Sequence, residues 1–200
     1  VLSREENVAI GDRCFAREPE AVLLRAGSFM RGMRLGGVLG CLKHFPGQGD
    51  AGVDTHETGA VITADRNLLN QREIYPFQGL IPEAPMVMIS HAVFQALDPD
   101  RPASLSSKVM LDLLRGDLGF RGLIVSDDMN MKAIDQSRGP WCEAIVASMA
   151  AGADLVLVCR ELERYRWAVE AIQSEAAKSP AFEIRLDDAV DRVMKTRNQV

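Results

Sequence analysis

No run of apolar residues in this sequence approaches the roughly 18 needed to cross a bilayer as a helix. The opening stretch Val1-Leu2-Ser3-Arg4-Glu5-Glu6 is polar where a secretory leader needs an apolar segment. No membrane partner is therefore expected, and a cytoplasmic setting is. The first residue is Val rather than Met, so a leader carried by an upstream portion is compatible with the same residues. Positive charge is not in excess: the net charge is −5 and the Lys and Arg residues are dispersed rather than striped, which argues against a nucleic-acid partner or a polybasic membrane face. There are 4 cysteines, none at C-x-x-C spacing. Cys41 and Cys159 lie in apolar runs, where a free thiol behaves as a small hydrophobe, and this favours a reducing compartment. The 3 histidines lack the H-x-H and H-E-x-x-H spacings of zinc sites, so no metal is expected, and no other cofactor. Low-complexity linkers and strict repeats are also missing, leaving one domain spanning residues 1–200.

What is present is an alternation of short apolar runs with helical patterns, as in βα units feeding a parallel sheet. The runs Gly37–Leu42, Met86–Ile89, Leu123–Val125 and Asp154–Val158 read as strands buried on both faces. Helices are predicted at about Pro19–Met33, Arg72–Ile81, Ser106–Leu114, Pro140–Ala151 and Leu162–Ala177. A last helix over Asp187–Arg197 has Asp187 as its cap and Ala189, Val190, Val193 and Met194 as its apolar stripe.

Such a pattern describes part of a (β/α)8 barrel, and equally a small open doubly wound sheet. Two features favour the barrel. The phosphate-cradling glycine pattern expected after a first strand is missing. The polar residues also gather at strand ends: Lys43-His44 after Leu42, Ser90-His91 after Ile89, and Ser126-Asp127-Asp128 after Val125. Barrel active sites are built there, from several strands at once.

The segment Lys43-His44-Phe45-Pro46-Gly47-Gln48-Gly49-Asp50-Ala51-Gly52-Val53-Asp54-Thr55-His56 is rich in loop-forming residues. Asp54 and His56, two apart, can set a carboxylate beside an imidazole, which fixes the tautomer and raises the basicity of a proton shuttle. The string resembles the signature loop K-H-F-P-G-H-G-D-x3-D-[ST]-H of the bacterial β-N-acetylhexosaminidases of glycoside hydrolase family 3, with Gln48 standing where the family more often has histidine. The resemblance implies a TIM-type barrel, with His56 as acid/base, Asp54 as its partner, and Lys43 and His44 as sugar-binding residues.

The run Leu123-Ile124-Val125-Ser126-Asp127-Asp128-Met129-Asn130-Met131 ends a strand on paired carboxylates. Successive strand side chains face opposite ways, so only one of the two aspartates can serve a small site, and the other is free to cap the following helix. The run is similar to the family's I-x-S-D-D-[LM]-x-M segment, which implies that Asp127 is the nucleophile. Ile10-Gly11-Asp12-Arg13-Cys14-Phe15 resembles the family's I-G-x-R-S-F, implying Arg13 as a sugar contact. His91 resembles a cavity residue of the family, with sugar contact and structural hydrogen bonding both open.

The resemblance runs from about Asn7 to Arg197 and implies a retaining exo-glycosidase acting on terminal β-linked N-acetylglucosamine, with cell-wall-derived glycosides as substrate. It implies further barrel strands before Ile10, so this chain is expected to hold only the later βα units and to be poorly folded or weakly active alone. Phosphorolysis is the alternative chemistry, since a neutral imidazole repels phosphate less than a carboxylate does. A metal-dependent barrel hydrolase using His44, His56, His91 and Asp127, and a non-catalytic sugar- or partner-binding remnant, are the readings from other classes.

Overall fold

The structure is a computed structural model that describes residues 11–49 and 59–199. Helix α1 (Pro19–Leu35) opens with proline in its first turn and buries Val22, Ala26 and Met30, spaced one helical turn apart, as its inner stripe. Gly37 ends it: at φ 75 it occupies the left-handed region while Val38 N–H reaches back to the Met33 carbonyl. The strand run therefore starts later than the apolar pattern suggests. Strand β1 is Cys41–Phe45 rather than Gly37–Leu42, and it carries Lys43 and His44 within it.

The other strands of the main sheet are β3 (Met86–Ile89), β6 (Leu123–Asp128) and β7 (Leu155–Leu157). All pairings are parallel and the order is β1-β3-β6-β7, so the chain steps across the sheet in one direction without a reversal. This is the order of consecutive barrel strands; a doubly wound sheet would switch direction. The fold is thus α/β of the TIM-barrel type, in part. Among the described residues no further strand pairs with the outer edge of β1 or of β7.

Register aligns the strand ends. Phe45 lies opposite Ile89, Ile89 opposite Ser126, and Asp128 opposite Leu157. Lys43-His44, Ser90-His91 and Asp127-Asp128 consequently emerge at one end of the sheet.

A second, three-stranded sheet has the order β2-β4-β5, from Val61–Ile62, Val93–Phe94 and Asp98–Pro102. The helical run before β3 begins at α2 (Arg66–Leu68), capped by the Asp65 carboxylate accepting from Leu68 N–H at 2.9 Å. It continues through a widened π segment (Leu69–Ile74) into α3 (Tyr75–Leu80). A second π segment, Lys108–Asp117, precedes β6. Helices α4 (Arg138–Ala150) and α5 (Leu162–Ala176) match their expected spans closely.

Helix α6 (Pro180–Arg197) starts well before Asp187. Its cap is Ser179, whose hydroxyl accepts from Phe182 N–H, and Pro180 preorganises the first turn. None of the helices among the described residues is long and apolar enough to cross a membrane.

The largest core cluster joins α1, β1, β3, β6 and the helical run ahead of β3. Phe45 and Phe77 meet there edge to face at 5.2 Å. At the opposite end of the sheet from the polar strand ends, Asp154 precedes β7 with its side chain fully buried. It accepts from Arg115 at 2.6 Å, Arg185 at 2.8 Å, Arg192 at 3.3 Å and Ile124 N–H at 2.9 Å. A buried carboxylate held this way is tolerable only because every lone pair has a donor. Its place at the amino-terminal end of the strands marks it as structural.

Candidate active site

Strand β6 delivers Asp127 with its side chain 17% exposed. One carboxylate oxygen, Oδ1, accepts from the Asp128 backbone N–H at 2.8 Å, and the other, Oδ2, stands 3.6 Å from His44 Nε2. The neighbouring Asp128 is spent on the protein: its Oδ1 accepts from Asn130 N–H at 3.0 Å and Cys159 N–H at 3.2 Å. It thus braces a turn and the end of β7. No helix begins there, so the expected helix cap is instead a turn brace. Of the two adjacent carboxylates, Asp128 takes two backbone N–H groups on one oxygen, and Asp127 is the one whose Oδ2 faces His44.

The turn after Asp128 is rigidly held. Gln136 donates to the Met131 and Ile134 carbonyls at 2.8 and 2.6 Å, and the Trp141 indole donates to the Met129 carbonyl at 2.8 Å. Such satisfied buried networks fix the geometry of what they surround.

His44 is buried, and burial pushes its pKa down to about 4, with Lys43 and Arg13 adding to the effect and Asp127 opposing it. At neutral pH the ring is uncharged, so its contact with Asp127 is dipolar rather than an ion pair. Its Nδ1 is buried without a hydrogen-bond partner among the described residues. The Lys43–His44 and Phe45–Pro46 peptides are cis.

A cavity of about 270 Å3 runs beside β1 and brings together Arg13, Lys43 and His44, with Gly47 and Glu73 also on its wall. The rest of the lining is mainly apolar, from α1 and α3, and Asp127 is not part of it. Asp127 thus stands outside the cavity, and His44, on its wall, is the residue that reaches toward it.

Beyond His44 the chain is anchored twice: Gln48 Nε2 donates to Ser90 Oγ at 2.7 Å, and Gly49 N–H donates to Glu73 Oε2 at 3.2 Å. The expected acid/base residues His56 and Asp54 lie outside the described residues.

His91, at the end of β3, is 2% exposed and has both ring nitrogens engaged, Nδ1 with Ser104 Oγ at 2.6 Å and Nε2 with the Asp128 carbonyl at 3.1 Å. Of the two readings open for this residue, the structural hydrogen bond is the one this geometry fills. Ser104, Glu73 and Ser126 were not singled out by their sequence context, because each acts through a partner distant along the chain.

All 4 cysteines are free, and Cys159, read as a core thiol, is exposed just beyond β7. Among the described residues no group of three or more His, Cys, Asp or Glu side chains could hold a metal ion.

The family described as Glycosyl hydrolase family 3 N terminal domain matches residues 1–196. A β-hexosaminidase of Stenotrophomonas maltophilia (strain R551-3) is 38% identical over 177 residues, covering 88% of this chain and 52% of that relative. A glycoside hydrolase family 3 β-N-acetylglucosaminidase from Paenibacillus sp. str. FPU-7 superposes with a TM-score of 0.91 at 35% identity, over 97% of this chain and 37% of that one. A β-N-acetylhexosaminidase from Beutenbergia cavernae DSM 12333 gives 0.90 at 32% identity, over 98% and 60%. The chain spans about half the length of the curated relatives it matches.

Proposed function

The chain belongs to glycosyl hydrolase family 3, and from that premise we propose that it carries the chemistry of a retaining exo-glycosidase that removes terminal β-linked N-acetylglucosamine. The substrate class in this reading is cell-wall-derived glycosides. The chain supplies the later βα units of the barrel, including the strand that bears the nucleophile.

Asp127 attacks the anomeric carbon through Oδ2, forming a covalent glycosyl ester as the glycosidic bond breaks. His56, oriented by Asp54, gives its proton to the leaving oxygen, then takes one from the water that opens the ester with net retention. Arg13, Lys43 and His44 hold the sugar hydroxyls. Neutral His44 forms no ion pair with Asp127, which suits a carboxylate that must act as nucleophile. The buried Nδ1 of His44 is a polar atom that a bound hydroxyl would satisfy.

The observation that carries this reading is the division of labour between the adjacent carboxylates, with Asp128 bound to two backbone N–H groups and Asp127 Oδ2 presented at the strand ends. The test is turnover of a chromogenic N-acetylglucosaminide by the intact protein. Asp127→Asn abolishes it, and a slow activated substrate leaves its sugar on the peptide containing Asp127. Full activity of the variant, or a label on another residue, defeats the reading. Running the assay in phosphate separates hydrolysis from phosphorolysis, since only the latter yields a sugar 1-phosphate.

A further inference from the structure

We propose that His91 is a positioning residue for the nucleophile, a neutral imidazole whose tautomer Ser104 sets and whose Nε2–H holds the carbonyl of Asp128, the residue whose own N–H binds Asp127 Oδ1. The inference rests on Asp127 being the nucleophile and adds a residue pair to that site.

A carbonyl oxygen only accepts, so the 3.1 Å contact between His91 Nε2 and the Asp128 carbonyl requires the proton on Nε2. Nδ1 is then a lone pair, and the Ser104 hydroxyl at 2.6 Å donates to it. Each bond demands the other. Burial pushes the His91 pKa down, which keeps the ring neutral at neutral pH. With both nitrogens occupied and the residue 2% exposed, no ring atom is left for a sugar hydroxyl.

The three-stranded sheet explains how Ser104 reaches the ring. β4 leaves the end of β3 just after His91, and β5 returns antiparallel to it. The Ala103–Leu105 turn then brings Ser104, whose N–H is fixed to the Ser90 carbonyl at 3.0 Å. Ser104 is fully buried, so its hydroxyl has no competing water.

The backbone at and just after the nucleophile is gripped from both neighbouring strands. From the β7 side, Leu157 N–H donates to Ser126 Oγ at 3.0 Å, and that hydroxyl donates to the Asp127 carbonyl at 2.7 Å. From the β3 side His91 holds the next carbonyl along, that of Asp128. The Asp128 carbonyl also accepts from Met131 N–H at 2.9 Å, within its own turn. Losing His91 therefore leaves the turn closed but frees the Asp128 carbonyl, and with it the residue whose N–H holds Asp127 Oδ1. Misplacement of a reacting group by about an ångström costs on the order of 100-fold in rate.

The experiment compares His91→Gln, His91→Leu and Ser104→Ala in the intact protein. Gln keeps an N–H of similar reach toward the Asp128 carbonyl; Leu fills the space without one; Ala removes the donor that selects the tautomer. The expected result is a kcat lower by about 10- to 100-fold for His91→Leu and Ser104→Ala, with KM within about twofold and most of kcat restored in His91→Gln. Nitrogen NMR of the wild-type ring shows a neutral Nε2–H imidazole at neutral pH, a signature that Ser104→Ala weakens. An unchanged kcat in His91→Leu overturns the inference, as does a rise in KM common to Gln and Leu, which marks a sugar contact. An Nδ1–H tautomer in the wild type overturns it as well. Should Asp127→Asn remain fully active, the reading of Asp127 as nucleophile falls by itself; with that variant inactive, the outcomes above bear on His91 alone.

Discussion

Acidification acts on this fold through His44. The pKa of that ring is held at about 4 against an ordinary 6.5, chiefly because burial disfavours the cation. In the unfolded chain the same ring takes its proton near the ordinary value. As pH falls from 6.5 toward 4 the unfolded state therefore binds more protons than the folded state, and stability drops. The contribution is fully present above pH 6.5 and exhausted below pH 4. At about 1.4 kcal/mol per pH unit of displacement the whole loss is about 3 kcal/mol, of which about 2 kcal/mol falls between pH 7 and pH 5. With a urea dependence of about 2 kcal/mol per molar for a chain of this size, the unfolding midpoint moves down by about 1 M over that interval. Other groups also titrate there, His91 in the same direction, so the measurement is a difference. Urea midpoints are taken at both pH values for the wild type and for His44→Asn. The substitution shifts both midpoints by its own constant cost, but the wild type loses about 1 M more than the variant on acidification. Equal losses in the two proteins refute the assignment of a buried, neutral His44.

Asp154→Ala strips a common acceptor from Arg115, Arg185 and Arg192, leaving the three guanidinium groups with only the half-exposed Asp188, which pairs with Arg185 and Arg192, as a neighbouring anion. Unfolding free energy falls by about 3–5 kcal/mol, read as a lowered thermal midpoint, with Asp154→Asn milder because an acceptor oxygen remains. Gly47→Ala places a methyl group 2.9 Å from Glu73 Cγ and nearer still to its Cβ, at a backbone φ of 144 that side chains rarely adopt. The strain costs about 1–3 kcal/mol and displaces the chain next to His44, so KM for an N-acetylglucosaminide rises along with the loss of stability. Trp141→Phe leaves the Met129 carbonyl with only the longer 3.3 Å bond from Gln136, lowering stability by about 1 kcal/mol and kcat more than KM, because that carbonyl belongs to the turn behind the nucleophile.

Much of this molecule is legible in its sequence because parallel strands buried on both faces leave continuous apolar runs, and β3 at Met86–Ile89 coincides with its run residue for residue. The location of the site is legible for the same reason: a polar pair directly after an apolar run must emerge at a strand end. What escaped was short or long-range. Strands β2 and β4 span two residues each, too few for any alternation to register, and they exist because Val93 N–H finds the Ala60 carbonyl and Gln95 N–H the Ile62 carbonyl. The start of α6 was available in Ser179-Pro180, and the stripe Phe182, Ala189, Thr196 recurs every seven residues; the acidic pair Asp187-Asp188 masked it.

The adjacent aspartates show where sequence reasoning stops. In the chain Asp127 and Asp128 are chemically equal, and alternation says only that they face opposite ways. Their separation into a brace and a candidate nucleophile depends on Cys159 and Asn130 supplying N–H groups to one of them, and on His44 lying 3.6 Å from the other. Cys159 is 31 residues downstream of Asp128, and no local pattern announces that its amide will arrive there. The arrival is a property of the β6–β7 pairing: once Asp128 lies opposite Leu157, the backbone just beyond Leu157 passes the Asp128 carboxylate. The sheet register therefore decides which of two identical side chains is tied to the neighbouring strand's backbone and which is left facing His44.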